Sequence, residues 1–354
     1  MNTIVAPYMP ILRSKQAEKG ALQDLKIEER KKITPLIELL PKQQLNKADP
    51  ASPIIIPREQ LLKEEIIYIQ QKLADIDVFL DSTPLYHLEK NLVFSILNSS
   101  TDLFGSNIIP VIVISDIKTG YFNNQSLDFM NKQGVCLRVS KEELTINFFD
   151  EIDQLLKKIP IERTKVDLLI DYGITDPNCF ELLLEKLKTD KGISLWRSFY
   201  FASGAFRKDL IGLSPGNHDQ LRYDWILWQK LFEKMNNIRV IGYSDYTIQH
   251  PIYKAINNPN TSFSVRYAQE DKWIIMKGQA RNAKNNAGDL QYYAHSKMLV
   301  DQQLFLGTDC CKGDEYILNL SKDPNQKRGN PQKWIKVGIN HHICLTLRQI
   351  AKMY

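Results

Sequence analysis

Ionisable side chains end or follow almost every short apolar run in the first 250 residues of this chain. In chain order these side chains are Arg13, Lys15, Glu38, Asp81, Asp116, Lys118, Arg138, Asp171, Arg207 and Asp245. Carboxylates can hold a hard cation such as Mg²⁺, and lysine and arginine can bind phosphate oxygens. The set therefore predicts hydrolysis or transfer at a phosphate ester. It fits acid and base catalysis on a sugar or nucleotide equally well.

Two of these residues interrupt strongly apolar segments. Glu38 lies in "PLIELLP" and Arg138 lies in "VCLRVS". Because an unpaired charge is costly to bury in such surroundings, we expect both side chains to reach a polar rim, where they pair with each other or with a bound anion. A structural ion pair is the competing interpretation, and helix capping explains some of the other acids.

A third segment, "RVIGYSDYTIQHP" at residues 239–251, begins like a buried β-strand and ends in polar groups. Gly242 would allow a close approach within the fold, His250 marks a boundary, and Asp245 is the first residue to mutate. From these patterns the predicted catalytic residues are Glu38, Asp116, Asp171 and Asp245. The predicted substrate-binding residues are Lys15, Arg138, Arg207 and Tyr246. The cofactor is left open, with Mg²⁺ as the candidate.

The elements that would position these residues follow a regular pattern. Eight apolar runs rich in β-branched residues alternate with helical segments, at 6–12, 33–41, 77–85, 107–116, 134–140, 165–173, 196–206 and 238–245. Continuous hydrophobicity indicates strands buried on both faces, as in parallel sheets. Eight such units in about 250 residues predict a (β/α)8 barrel, whose catalytic groups come from the carboxyl ends of the strands. The alternative is an open doubly wound sheet, although its glycine-rich GxGxxG turn is missing.

The pattern changes after Pro251, so we predict a barrel domain at 1–254 and a C-terminal α+β appendage packed on it at 255–354. Residues 261–279 predict a hairpin that turns at Glu270, Asp271 and Lys272.

Several helices are expected around and after this hairpin. One covers 217–237, with Asn217 as its cap, and another lies around 289–306. The final helix is expected to be amphipathic and to begin at Asn340, which would place His341 and His342 in its first turn.

Composition narrows the class of protein. The net charge of +5 is mild for 354 residues and permits an anionic partner without requiring one. No apolar run reaches the roughly 18 residues of a membrane span, so we expect a cytoplasmic protein with no membrane partner. Five cysteines favour reduced thiols over disulfides. Cys310 and Cys311 are adjacent, but no second pair stands at metal-site spacing, so zinc is not expected.

Three segments together resemble the beta protein family of bacteria and phages. They are "PYMPILRSKQAEKGALQDL", "ITPLIELLP" and "GNPQKWIKVGINHHI". The resemblance implies a barrel and an antiphage defence context, and it assigns no catalytic residue. Two functions therefore stay open. The first is an enzyme acting on a phosphorylated or nucleotide-like substrate. The second is a recognition or assembly subunit that binds a phage component, a partner protein or a nucleic acid.

Overall fold

Eight parallel strands form a closed barrel in the computed structural model, which describes residues 7–41, 57–104, 107–253, 260–284 and 286–353. The barrel strands are β1 (Tyr8–Arg13), β2 (Leu36–Glu38), β3 (Val78–Asp81), β4 (Ile108–Val113), β5 (Val135–Ser140), β6 (Val166–Ile174), β7 (Ser198–Gly204) and β9 (Gly242–Asp245). The last strand pairs with β7 on one side and with β1 on the other. The predicted barrel is confirmed, and the doubly wound alternative is wrong because an open sheet keeps two unpaired edges.

Helices follow the strands and cover the outside of the barrel. They are α1 (Gln16–Gln23), α2 (Ile27–Arg30), α3 (Arg58–Lys72), α4 (His87–Phe104), α5 (Ile114–Lys118), α6 (Asn124–Gln133), α7 (Phe148–Leu156), α8 (Phe180–Lys188) and α9 (Tyr223–Met235). In α7, Phe148, Ile152 and Leu156 are buried at helical spacing, which shows why the segment docks as a helix. Within the described ranges, no helix is long and apolar enough to cross a membrane.

Side chains of the barrel strands divide between two cores. One core fills the lumen and contains Met9, Ile11, Leu36, Phe79, Val111, Cys136, Leu169, Tyr200 and Ala202. Their neighbours in sequence, such as Leu12, Ile37, Leu80 and Leu137, belong to the larger core between the strands and the helices. Because successive residues of a strand point to opposite faces, odd or even position decides which core a side chain joins.

Gly242, the first residue of β9, lies directly against the ring of Tyr200 in β7. A Cβ atom on Gly242 would stand 2.5 Å from Tyr200 Cε1, well inside contact distance. Tyr200 is fully buried in the lumen, so its ring has no free space to move into. The close approach predicted for Gly242 is therefore confirmed.

The C-terminal part adds a three-stranded antiparallel sheet and three helices. These elements are β8 (Gly216–Leu221), β10 (Ser262–Ala268), β11 (Lys272–Ala280), α10 (Leu290–Asp301), α11 (Lys312–Lys322) and α12 (Pro331–Ile350). The predicted hairpin is confirmed as β10 and β11, with Ala268 opposite Trp273. The sheet and helices share a separate apolar core that includes Tyr267, Met276 and Trp334.

The third strand of this sheet, β8, comes from within the range predicted for the barrel. It runs antiparallel to β11, with Leu221 opposite Lys272. The helix predicted from Asn217 is wrong at its start, because α9 begins only at Tyr223. The strand is mostly polar and exposed at a sheet edge, so hydrophobicity does not mark it. The predicted boundary at residues 254 and 255 falls where residues 254–259 lie outside the described chain.

Helix α12 links the appendage to the barrel. It begins at Pro331, where Asn330 Oδ1 caps it by accepting a hydrogen bond from Lys333 N. The helix start expected at Asn340 is wrong, because Asn340 lies inside the helix and donates to the Ala21 carbonyl of α1 at 3.1 Å. The amphipathic pattern is wrong as well. Most of α12 is buried on all sides, because α1, α11 and β10 pack around it.

Replacing Gly242 by alanine is expected to lower the free energy of unfolding by about 1–3 kcal/mol, because the added methyl group must displace Tyr200 in a packed lumen. Gly20→Ala in α1 is the control, since its nearest atoms belong to the flexible Lys336 side chain and alanine favours a helix. Urea unfolding followed by circular dichroism measures both variants. Wild-type stability of Gly242→Ala would contradict the tight contact.

Candidate functional site

Arg138 is the centre of a group of charged side chains at the carboxyl ends of the barrel strands. It lies two residues after Cys136 in β5 and so faces the lumen. Its Nη1 donates to Glu38 Oε1 at 2.9 Å and to Asp81 Oδ2 at 2.5 Å. Its Nε and Nη2 donate to Asp171 Oδ2 at 2.9 and 2.6 Å, and Nη2 also lies 2.8 Å from Tyr246 Oη. We call Glu38, Asp81, Arg138, Asp171 and Tyr246 the lumen cluster.

The lumen cluster is almost closed to water and has fixed geometry. Arg138 has 13% of its side chain exposed, and the side chain of Asp81 is fully buried. Asp81 Oδ1 accepts a hydrogen bond from Thr83 N at 2.7 Å, and Asp171 Oδ1 accepts one from Gly173 N at 2.9 Å. The backbone of the strand ends therefore holds two of the carboxylates in place.

Burial changes the proton affinities in the cluster. Burial raises the pKa of Glu38; the Arg138 charge opposes this shift and the Asp81 carboxylate adds to it. Burial and the nearby Asp171 raise the pKa of Tyr246 well above its ordinary value, so the phenol keeps its proton and donates it to Asp171 Oδ2 at 2.6 Å. The cluster thus combines a fixed cation with a carboxyl group that takes up a proton readily.

Arg13 brings a second guanidinium to the site from the end of β1. Its Nε lies 3.7 Å from Glu38 Oε2, and its Nη1 donates to Gln249 Oε1 at 2.5 Å. Its Nη2 donates to the His250 carbonyl at 2.7 Å, so the segment after β9 is held against β1. Neither Arg13 nor Gln249 is among the site residues predicted from the sequence. For Arg13 the available signal is a charge directly after the apolar "PIL" of β1.

Lys15, which is predicted to bind substrate, lies at the exposed edge of this site. Its Nζ stands 4.3 Å from the ring centroid of Tyr253, and the guanidinium of Arg13 stands 5.1 Å from the same ring. Tyr253 is 39% exposed. In the described part of the chain no carboxylate pairs with Lys15, so its ammonium group is available to an anion.

Asp245 faces away from the lumen although it lies at the end of β9. It shares its face of the strand with Tyr243, which packs in the core between the strands and the helices. Its Oδ1 accepts from Tyr8 Oη at 2.7 Å, and its Oδ2 accepts from Tyr243 Oη at 2.9 Å and His342 Nε2 at 2.6 Å. We call Tyr8, Asp224, Tyr243, Asp245 and His342 the outer network. The barrel wall separates this network from the lumen cluster.

Proton affinities in the outer network are also shifted. Burial lowers the pKa of His342, so the imidazole is neutral and Nε2 donates to Asp245. Burial would raise the pKa of Asp245, but the hydrogen bond from His342, the charge of Arg222 and the Tyr8 hydroxyl hold this pKa below its ordinary value. Asp224 Oδ2 lies 3.2 Å from Tyr243 Oη. Burial and the charge of Asp245 raise the pKa of Asp224 to about 7. One carboxyl group is therefore ionised while its neighbour binds a proton near neutral pH.

Two other predicted site residues make their contacts elsewhere. Asp116 lies in α5 and pairs with Lys90 of α4 at 3.4 Å. Arg207 follows β7, and its Nε and Nη2 donate to the carbonyls of Asp209 and Ile211 in its own loop at 2.5 and 3.1 Å. Of the predicted catalytic and substrate-binding residues, the structure brings together Glu38, Arg138, Asp171 and Tyr246.

Mg²⁺, the cofactor candidate from the sequence, does not fit the lumen cluster. The guanidinium of Arg138 already lies within 3 Å of the three carboxylates, at 2.9, 2.5 and 2.6 Å, and so fills the place of a cation that they would share. Mg²⁺ also keeps several water ligands in a near-octahedral shell, which a nearly dry cluster does not accommodate. The residues present suit acid and base chemistry around a fixed guanidinium.

A cleft of about 280 Å³ opens beside the ends of β5 and β6. Its lining residues are Lys141, Glu142, Leu144, Tyr172, Leu182, Leu183 and Lys186. Tyr172 directly follows Asp171, so it lies on the opposite face of β6. The cleft therefore lies between the strand and α8, outside the lumen.

Removal of the central cation is expected to destabilise the barrel strongly. Arg138→Met leaves three buried carboxylates without their shared partner, so the free energy of unfolding should fall by about 3–5 kcal/mol. Arg207→Met is the matched control, because that side chain contacts only carbonyls of its own loop among the described residues, and its loss should cost less than about 1 kcal/mol. Chemical denaturation of both variants provides the comparison. Equal effects would show that the lumen cluster contributes no special stability.

The raised pKa of Asp224 predicts a pH-dependent stability. Its folded-state value of about 7 lies above the ordinary 3.8, so the folded protein binds this proton more tightly. The resulting stabilisation is complete below about pH 4 and is lost as the pH rises toward 7. We therefore expect the difference in unfolding free energy, wild type minus Asp224→Asn, to fall over this pH range. The fall should be on the order of 3 kcal/mol. A difference that stays flat or rises with pH would contradict the shift.

Comparisons with known proteins confirm the resemblance seen in the sequence. A family model described as Beta protein matches residues 8–348. No curated protein matches the sequence. The chain is similar to two structures of the arginine decarboxylase of Paramecium bursaria Chlorella virus, one of them bound to agmatine, at 10% and 9% identity and TM-scores of 0.25 and 0.26. Each match covers 63% of this chain and 80% of the decarboxylase chain. This similarity is too low to carry any argument. The match over nearly the whole sequence shows that the chain belongs to the Beta protein family.

Proposed function

We propose that the protein is a cytoplasmic enzyme with the lumen cluster as its active site and a phosphorylated or nucleotide-like molecule as its substrate. The observation that carries this proposal is the burial of three carboxylates, a guanidinium and a phenol at the barrel end where (β/α)8 enzymes hold their catalytic groups. Apolar side chains would close that end without the cost of desolvating charges. Buried ionisable groups with shifted pKa values at the carboxyl end of a barrel are typical of catalytic sites.

Glu38 is the proposed general acid and base. Its raised pKa brings proton exchange closer to neutral pH than in an exposed glutamate, and proton transfer is most efficient when the pKa lies near the working pH. Asp171 and Tyr246, joined by a 2.6 Å hydrogen bond, are the second proton-transfer pair. Arg138 is a positioning residue in this proposal, because all three of its nitrogens already donate to protein groups.

The edge of the site supports an anionic substrate. Lys15 offers an exposed ammonium group at the ring of Tyr253, and Arg13 lies on the inner side of the same ring. Lysine binds phosphate as a compact charge, and an exposed aromatic ring can stack on a nucleobase. The proposed cytoplasmic location is supported by the cysteines, all five of which are free and buried.

A recognition subunit is the second candidate, and the completeness of the lumen cluster favours it. A guanidinium whose donors are all satisfied within the protein can serve to fix the shape of the barrel end. Exposed apolar side chains end or follow three of the strands at that end, namely Ile174, Ile211 and Ile252. In this alternative the rim binds a phage component or a partner protein, in line with the antiphage context that the family resemblance implied.

A panel of nucleotides and sugar phosphates tests the enzyme proposal. Wild-type protein is screened for turnover by mass spectrometry and for binding by calorimetry. Glu38→Gln should lower kcat by about 10²–10⁴-fold, because a general acid and base is lost. Lys15→Ala should weaken binding about tenfold, because a charged contact to phosphate is lost. Lys32→Ala is the matched control, since Lys32 is exposed and precedes β2 at the opposite end of the barrel.

The outcomes separate the two candidates. Turnover that survives in Glu38→Gln would contradict the roles given to the lumen cluster. Absence of both turnover and binding in wild type, together with a copurifying partner released by mutation of Ile211, would favour recognition over catalysis. If Lys32→Ala weakens binding as much as Lys15→Ala does, the proposed role of Lys15 in binding the substrate would be contradicted.

A further inference from the structure

Four side chains with metal-binding atoms meet in the C-terminal appendage. They are Cys310, Cys311, Asp314 and His341. Their ligand atoms all lie within 4.8 Å of one another, and none of the four residues is more than 5% exposed. Two thiols, an imidazole and a carboxylate form a closed set of zinc ligands, with soft sulfur donors that Mg²⁺ and Ca²⁺ do not use. We propose that these side chains bind one structural Zn²⁺ ion.

The distances within the set suit a tetrahedral ion. Zinc bonds of about 2.0–2.3 Å place the ligand atoms of a tetrahedron roughly 3.3–3.8 Å apart. His341 Nδ1 lies 3.0 Å from Asp314 Oδ2, close to that separation. The widest separation in the set is within 4.8 Å, so side-chain movements of about 1 Å complete the tetrahedron.

The surrounding hydrogen bonds orient two of the ligands toward the centre of the set. His341 Nε2 lies 2.8 Å from the Ala268 carbonyl, which makes Nε2 the protonated nitrogen and directs Nδ1 inward. Tyr267 Oη donates to Asp314 Oδ1 at 3.0 Å and leaves Oδ2 for a ligand. Histidines that bind metals commonly donate their other N–H to a carbonyl, and carboxylates that bind metals are commonly hydrogen-bonded as well.

The backbone brings the ligands together from separate parts of the chain. Cys311 caps α11, and its Sγ accepts a hydrogen bond from Asp314 N at 3.3 Å. Gly313 allows the start of α11 to approach α12, because a Cβ there would stand 2.8 Å from the Val337 carbonyl. His341 comes from the middle of α12, and its ring stacks on Tyr267 of β10 at 3.9 Å. A bound ion would join α11, α12 and the loop before α11.

The competing interpretation of this geometry is a buried ion pair without metal. Burial would lower the pKa of His341, but the Asp314 carboxylate raises it to about 10. An imidazolium would then donate from both ring nitrogens, and the two thiols would stay protonated. A measurement of the metal content distinguishes this ion pair from a zinc site.

Two measurements on the full chain test the proposal. Elemental analysis of protein purified without chelators should give about one zinc per chain. Addition of Co²⁺ to metal-depleted protein should produce thiolate-to-metal charge-transfer absorption and the visible bands of a tetrahedral ion. Because the cobalt measurement uses the wild-type chain, it does not depend on the folding of any variant. A wild-type protein that takes up neither Zn²⁺ nor Co²⁺ would overturn the proposal.

Variants then identify the ligands. The double variant Cys310→Ser with Cys311→Ser, and separately His341→Asn, should reduce zinc content at least tenfold. Cys179→Ser is the matched control, because Cys179 is a buried thiol next to α8 and outside the ligand set, and it should keep its zinc. Loss of zinc in Cys179→Ser, or full retention in both ligand variants, would exclude this set of ligands.

Discussion

Closure of eight parallel strands leaves each strand side chain only two directions, and this constraint decides which charged groups can meet. Glu38, Asp81 and Arg138 occupy lumen-facing positions, so the barrel brings them within hydrogen-bonding distance across the sheet. Asp245 ends β9 but lies on the other face, where it joins tyrosines and a histidine. A shift of one residue in strand register would exchange these environments and leave both sets of charges unpaired.

Helix α12 connects the barrel to the appendage through two adjacent residues. Successive positions of an α-helix project about 100° apart, so neighbouring side chains reach different surroundings. His342 donates to Asp245 on the barrel, whereas His341 contacts Asp314 of α11 and the Ala268 carbonyl of β10. Because the helix is buried along most of its length, both contacts depend on the same helix position. One helix thus contacts both the barrel wall and the appendage.

The sequence was sufficient to predict the barrel, because the barrel strands are continuous apolar runs, which few other folds require. It also predicted that Glu38 and Arg138 pair with each other or with a bound anion, since a charge inside an apolar segment needs a partner, and the structure shows the first of these. The direction of Asp245 was open to the same reasoning: Asp245 and Tyr246 are adjacent, and adjacent strand residues cannot share the lumen. Tyr246 contacts Arg138 in the lumen cluster, so Asp245 points toward the helices.

Other features could not be predicted from a single chain. The edge strand β8 consists of polar residues whose conformation depends on pairing with β11, a contact between distant segments. The buried part of α12 shows no amphipathic pattern, because the helix is covered on all sides, although Asn330 and Pro331 give a local signal for its start. The cysteine pair meets His341 only through the packing of α11 on α12, so spacing along the chain gives no sign of it. The strand β8 and the cysteine set thus depend on tertiary contacts and not on local propensity.

The position of β8 affects how the two parts of this protein can be separated. The strand leaves the barrel after β7, pairs in the appendage sheet, and returns the chain to α9 and the closing strand β9. A cut after β9 would therefore divide the appendage sheet and expose the edge of β8, so the C-terminal part is not a removable tail.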